Sequence, residues 1–309
     1  MDFNFGIITN CTARKRAGGQ VLHLTQAELN NDPTKIVELW LDRASRSSPV
    51  LTVGELYGGR SMTESKAVAS HLSATFHVIS AGLGLAARDE LAPNYDLTIA
   101  KGLGSLMPAL ARAGMSPDDW WQLLNLHKST PLPLSNLING LTDTRFLLAL
   151  PSTYLAMIES DLAHINEAAL TRLSIFTSTS GASNLSSRLQ QRVIYYDERL
   201  EGEKNYAGTR ADFPQRAMRH FVHAINGHKL DVKQANEAVS EALSKLKKPV
   251  LPKRIRKSDS EITELIRTEW NRYSGNSGQL LRFLRDEALV SCEQSRFSHL
   301  RREIQAQMS

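Results

Sequence analysis

The chain has 309 residues, of which 41% are hydrophobic and 22% charged, with a formal net charge of +5. That length and composition suit two or three units of ordinary size with proper cores, and argue against wholesale disorder. The two cysteines, Cys11 and Cys292, lie near opposite ends, which excludes a disulfide framework and a Cys-x-x-Cys zinc pattern; no apolar run reaches the roughly 18–20 residues of a membrane span, and no signal-peptide pattern opens the chain.

The first predicted element is a buried strand, Phe5-Gly6-Ile7-Ile8-Thr9, short and β-branched. It stops at Asn10-Cys11-Thr12, followed by Ala13-Arg14-Lys15-Arg16 and Gly18-Gly19. Helical spacing over residues 32–46 puts Ile36, Leu39, Trp40 and Ala44 on one face, and 63–74 is a second short helix. Thr75-Phe76-His77-Val78-Ile79 is the second strand and ends at Ser80-Ala81-Gly82-Leu83-Gly84-Leu85. A helical insert occupies about 101–140, with Trp120 and Trp121 inside it. Strands follow at 146–150 and 172–177, separated by a helix at 154–165, which makes a βαβ unit; 192–196 is a fifth strand. Helices are expected over 211–225 and through the polar stretch 226–248. Residues 249–258 read as a basic linker with two prolines, and 259–309 as a compact helical module. The fold class is therefore α/β, with a parallel or mixed sheet of about five strands in residues 1–248.

Four of these strands run at once into small, polar or glycine residues: Asn10-Cys11-Thr12, Ser80-Ala81-Gly82, Pro151-Ser152-Thr153 and Ser178-Thr179-Ser180-Gly181. Open α/β sheets bind ligands outside the carboxyl ends of their strands, where small residues let backbone N–H groups approach an anion or a heterocycle. Short loops also need turn residues for their own sake. The first of these ends carries a thiol and then three basic residues, so Arg14, Lys15 or Arg16 would meet a phosphate or carboxylate. The second leads through Asp89-Glu90-Leu91 to Asn94-Tyr95-Asp96-Leu97. There Asp96 is a candidate general base or stabiliser of an oxocarbenium ion, and Tyr95 a stacking surface for a base.

Together these motifs resemble a known pattern. A strand ends in a small-Cys-Thr turn with basic residues, followed by Leu56-Tyr57-Gly58-Gly59-Arg60, then Ile79-Ser80-Ala81-Gly82-Leu83-Gly84-Leu85, then Tyr95-Asp96-Leu97-Thr98. The order is similar to an uncharacterised bacterial and phage domain family. That family is distantly related to the uracil-glycosylase-like domain of archaeosine synthase and, more remotely, to the peroxide stress protein family. The resemblance covers about residues 5–100, with weaker support to about 225. It implies a Rossmann-like, glycosylase-like base-handling pocket, and carries over to Cys11, Thr12, Lys15, Tyr57, Ser80, Gly84, Tyr95 and Asp96. The family's turn often reads Cys-Gly/Ser-x-x-Lys, whereas here Thr12 takes the small position and arginines flank Lys15. That departure leaves the phosphate-contacting residue open.

Two further constellations are basic. Thr209 or Asp212 would cap a helix carrying Pro214, and Arg210, Arg216 and Arg219 near its start would hold a nucleic-acid phosphate. From Lys247 to the end there are 13 Lys/Arg against 8 Asp/Glu, an excess equal to that of the whole chain. Three short helices there, with Ile262, Leu265, Ile266 and Trp270, then Leu280, Leu281 and Leu284, then Phe297, Leu300 and Ile304 inward, suit a winged-helix or helix-turn-helix module. Arg254 and Arg256 before it, and Arg282, Arg285, Arg296 and Arg301 within it, would contact DNA. A helical protein-docking tail with solvated arginines fits the same pattern. The nine histidines are scattered, and no metal site, phosphate-loop or dinucleotide fingerprint is present.

The first functional expectation is an enzyme that cleaves or exchanges a glycosidic bond on a modified base in DNA, without a cofactor. Asp96 would be catalytic, Asn10 and Ser80 would read base edges, and the tail would grip phosphates. A role in DNA modification or phage defence rests on the resemblance alone. The second is a non-catalytic DNA-binding or adaptor protein whose α/β core senses a nucleotide or modified base. The third is an enzyme of free nucleosides. A cytoplasmic setting with DNA as partner and no membrane partner is expected; protein partners are left open.

Overall fold

The computed structural model describes residues 3–16, 20–49, 51–100, 102, 104–248 and 253–308. The chain divides into two compact units, Met1–Lys248 and Pro249–Ser309. The first unit is mixed α/β. Its strands are β1 (Asn4–Asn10), β2 (Leu51–Thr52), β3 (Thr75–Ser80), β4 (Gly84–Ala87), β5 (Leu91–Ala92), β6 (Thr144–Ala149) and β7 (Leu173–Phe176). Five of them form one sheet in the order β4-β3-β1-β6-β7, and β2 pairs with β5 in a small antiparallel ribbon. β1 is parallel to both β3 and β6, and β6 to β7; only β4 runs antiparallel, paired with β3 from Ser80↔Gly84 to His77↔Ala87. The central strand shows why: Ile7 and Ile8 are fully buried, as expected for a strand covered on both faces.

The fifth strand is not the one expected. Residues 192–196 reach the sheet only through one bridge, Ile175↔Val193, after which the Tyr195 N–H turns away to the Asn236 side chain at 2.8 Å. The fifth place is taken by Gly84–Ala87, which reads in sequence as loop because a four-residue edge strand has no room for a periodic pattern. The helix expected at 154–165 is broken into Ser152–Met157 and Glu159–Ala163. The break frees the Ser160 N–H to bond the Asp118 carboxylate at 2.9 Å. The insert consists of three helices, Met107–Ala113, Pro117–His127 and Pro133–Gly140. Fully buried Asp161 ties it down, accepting from Trp121 Nε1 at 3.0 Å and from the N–H groups of Leu134 and Ser135 at 3.1 and 2.8 Å.

The second unit has its own core of Ile262, Ile266, Leu280, Leu284, Val290, Phe297, Leu300 and Ile304. Its helices are Asp259–Glu269, Ser277–Arg282 extended by one π-helical turn (Phe283–Glu287), and Gln294–Met308. Of the expected linker, residues 249–252 lie outside the described residues, as do Gly18 and Gly19. The remainder is not a free linker. The Ile255 N–H donates to Leu289 O and the Ser291 N–H to Ile255 O, so an extended segment is stitched along the unit. Among the described residues no helix is long and apolar enough to cross a membrane.

Candidate functional site

β1 leads to β3 on one side while β6 and β7 lie on its other side, and open α/β sheets bind ligands at the carboxyl ends beside such a reversal. Cys11 follows β1 directly, its N–H donating to Ile79 O at 2.9 Å. Its Sγ lies 3.0 Å from the Tyr154 hydroxyl, on the helix that follows β6, so one contact spans the reversal.

Backbone pairing carries the basic loop back over the site. Lys15 bridges to Tyr57, the Arg16 N–H donates to Leu56 O, and the Gly58 N–H donates to Arg14 O. The Thr12 hydroxyl pins the turn, donating to Gly58 O at 2.8 Å. The Lys15 ammonium is thereby set 4.2 Å from the centre of the Tyr95 ring and 5.7 Å from that of Tyr57, a cation–π arrangement. The Tyr95 hydroxyl bonds to those of Tyr57 and Ser80. Ser80 Oγ also accepts from the N–H groups of Gly82 and Leu83 at 3.1 and 3.2 Å. Two indoles fix this loop from behind: Trp40 Nε1 donates to Gly82 O at 2.7 Å and Trp120 Nε1 to Ala81 O at 2.9 Å. A Cβ on Gly82 would sit 2.7 Å from the Tyr95 ring, so the turn requires glycine.

Asp96 follows Tyr95 and is half-buried. Gly104, at φ +71°, closes against its backbone, where a Cβ would lie 2.4 Å from Asp96 O. Asp96 Oδ1 is sealed from solvent and has no hydrogen-bond partner among the described residues. Burial pushes the Lys15 ammonium below the ordinary lysine value, opposed by the charges of Cys11 and Asp96. Burial also pushes the phenols of Tyr57, Tyr95 and Tyr154 well above the ordinary tyrosine value, so they remain neutral. The site thus presents one amine whose pKa burial lowers and one carboxyl group with an oxygen unpartnered among the described residues, set on a floor of mutually bonded hydroxyls.

The structure therefore brings Cys11, Thr12, Lys15, Tyr57, Ser80, Tyr95 and Asp96 into one region and reassigns several of them. Tyr95 is 1% exposed and Ser80 0%, with their hydroxyls already bonded, so Tyr95 is not a stacking surface and Ser80 does not read a base edge. Tyr57 is equally buried. Asn10 is also occupied: Nδ2 donates to Cys11 O at 2.7 Å and Oδ1 accepts from Gln215 Nε2 at 2.8 Å. Gly84 belongs to the β3–β4 hairpin at φ +74°, where a Cβ would meet Asn125 Oδ1. Two residues escaped sequence reasoning. Tyr154 stands just after a small-residue strand end, which was its only signal. Gln215 Nε2 shares its two N–H groups among Thr9 Oγ1, Asn10 Oδ1 and Ala149 O while its Oε1 is buried without a partner among the described residues, and nothing in its sequence position announces this.

The arginines expected on nucleic acid divide sharply. Arg216 is 0% exposed and paired with Asp212 at 2.6 Å and Glu201 at 2.7 Å, so it holds no phosphate; it knits the 201–212 loop to its helix. Arg254 pairs with Asp286, Arg296 with Asp259, Arg285 donates to Cys292 O, and Arg301 donates to Gly275 O. Arg210, Arg256 and Arg282 are exposed and unpaired among the described residues. No group of three or more His, Cys, Asp or Glu among the described residues is placed to hold a metal ion. Compared with known proteins, the chain matches no family model, no curated protein and no solved structure.

Proposed function

We propose that the first unit is a Rossmann-like, glycosylase-like domain that handles a nucleobase at the carboxyl edge of its sheet, by glycosidic-bond cleavage or base exchange. The observation that supports it is the Asp96 carboxyl group: one oxygen is buried without a partner among the described residues, near a lysine whose pKa burial lowers. An unpartnered buried acceptor is costly unless something else uses it. A sugar developing positive charge at its anomeric carbon would be such a user once the contact of Gly104 with Asp96 opens, and Lys15 would hold a phosphate or the departing base. The second unit, helix-turn-helix-like in this reading, would supply DNA affinity, with Arg256 and Arg282 among its cations that have no partner among the described residues. The motif resemblance to an uncharacterised bacterial and phage family, itself distantly related to the glycosylase-like domain of archaeosine synthase, points the same way.

A sensor or adaptor reading is favoured by a different observation. Tyr57, Tyr95, Ser80 and Cys11 bond to one another or to Tyr154, so they are set for rigidity. The two readings separate on base release. The protein is incubated with genomic DNA from hosts and from phages carrying modified bases, and the small-molecule fraction is analysed by mass spectrometry. Release of a free base by wild type, reduced at least about 100-fold in Asp96→Asn with DNA binding intact, is the expected result. No release from any DNA, with binding retained, sinks the enzyme reading in favour of the sensor.

A further inference from the structure

A cavity of about 230 Å³ lies at the other end of the parallel strands. Phe5 and Arg145, paired near the starts of β1 and β6, line it, with Arg172 just before β7, Arg192, and His228 beyond the helix Phe213–His223. Three arginines thus line one space, the Arg145 guanidinium also resting 3.9 Å from the centre of the Phe3 ring. Each is held from behind by backbone carbonyls. Arg145 Nη1 donates to His228 O at 3.0 Å. Arg172 donates to Thr144 O at 2.8 Å and Ile138 O at 3.1 Å. Arg192 donates to Leu173 O at 2.9 Å and Thr171 O at 2.7 Å. Among the described residues none of the three has a carboxylate partner. The lining carboxylate, Asp231, is exposed and engaged in capping the helix Val232–Ser244 through the Gln234 N–H at 2.9 Å. His228 is 8% exposed, and its Nδ1 has no hydrogen-bond partner among the described residues.

Three positive charges gathered in a half-buried space against the single lining carboxylate of Asp231 are unfavourable, and an anion lowers the penalty. Arginine forks fixed by carbonyls keep N–H groups free to bind a phosphoryl group in bidentate fashion with little further ordering. The rest of the lining includes Leu147 and Val232, an apolar wall that a bare ion would leave wet. We propose that this cavity binds a small organic phosphate, with Arg145, Arg172 and Arg192 on the phosphoryl oxygens, His228 beside them and the organic part against Leu147 and Val232. The site is separate from Asp96 and stands whether or not the first unit is a glycosylase.

The test is calorimetric titration and thermal shift of the full chain with adenosine 5′-monophosphate, adenosine and inorganic phosphate. The monophosphate is expected to bind saturably and raise Tm, adenosine to do neither, and inorganic phosphate to bind at least about tenfold more weakly. Ser174 also lines the cavity, and Ser174→Asp places a carboxylate among the guanidiniums. That variant should have an unliganded Tm no lower than wild type and should lose monophosphate binding at least about tenfold. Arg145→Gln, which keeps the size of the contact while removing the charge, should show the same loss. The proposal is overturned if wild type binds neither phosphate compound. It is equally overturned if binding survives both variants but is lost in Asp96→Asn, which would put the ligand at the carboxyl edge.

Discussion

At the carboxyl edge of the sheet the polar side chains bond to one another, whereas at the amino edge three arginines that line a cavity hydrogen-bond, among the described residues, to backbone carbonyls alone. One helix reaches both. Gln215, at the start of Phe213–His223, is tied to Asn10 and Ala149 O, and His228 follows the other end. The first edge is a largely closed network in which, among the described residues, few acceptors are left over, Asp96 Oδ1 and Gln215 Oε1 among them. The second is a set of donors with, among the described residues, no carboxylate paired to them. Side chains satisfied within the protein hold its shape, and those left over mark where a ligand completes the count.

The buried pair system near the carboxyl edge puts the largest number on this contrast. Arg216 is fully buried between Asp212 and Glu201 and also donates to Thr209 O at 2.7 Å. Arg216→Leu strands two carboxylates and should cost about 3–5 kcal/mol in urea unfolding. Arg192→Leu at the cavity strands only two carbonyls and should cost about 1–2 kcal/mol. Equal losses would mean that the cavity arginines are paired after all and that the contrast is false.

Tyr95→Phe sharpens the same comparison from the carboxyl side. It removes one hydroxyl that serves both Tyr57 and Ser80, while Ser80 Oγ keeps its bonds to the Gly82 and Leu83 N–H groups. The expected cost is about 1–3 kcal/mol, read by urea unfolding. The ring remains for Lys15 to rest on, so ligand binding at this edge should survive. Loss of binding with unchanged stability would restore Tyr95 as a ligand contact.

The strands of the sheet that bury long apolar runs are legible in the sequence, and so is the convergence of their carboxyl ends. β1, β3, β6 and β7 carry such runs, and the small residues after them point to one edge. Cys11, Lys15 and Asp96 could be picked out because loops that follow strands meet at that edge whatever their separation in sequence. What burial does to a side chain could not be read. Tyr95 and Ser80 look like surface readers until packing closes over them, and Arg216 looks like a phosphate ligand until two acids meet it. The amino-edge cavity left no local pattern, since Arg145, Arg172 and Arg192 belong to three separate segments that only strand register aligns.

The smallest expected effect is a pH dependence that belongs to the amino edge. Burial, and then the charges of Lys229, His71, Arg145 and His223, push His228 down to about 4 from the ordinary 6.5. The unfolded chain therefore takes up this proton at a higher pH than the folded one. The stabilisation is full above about pH 6.5 and is lost as pH falls through about 4. Solvent screening keeps the loss to about 1 kcal/mol, or about 2–4 °C in Tm for a unit of this size. His228→Gln should flatten that acid limb. If the limb is unchanged, it belongs to His77, His220 or His223, which burial also lowers, and not to His228. Repeating the scan with adenosine 5′-monophosphate separates these cases, because an anion beside His228 favours its charged form and shrinks the acid loss only if the cavity is where the phosphate sits.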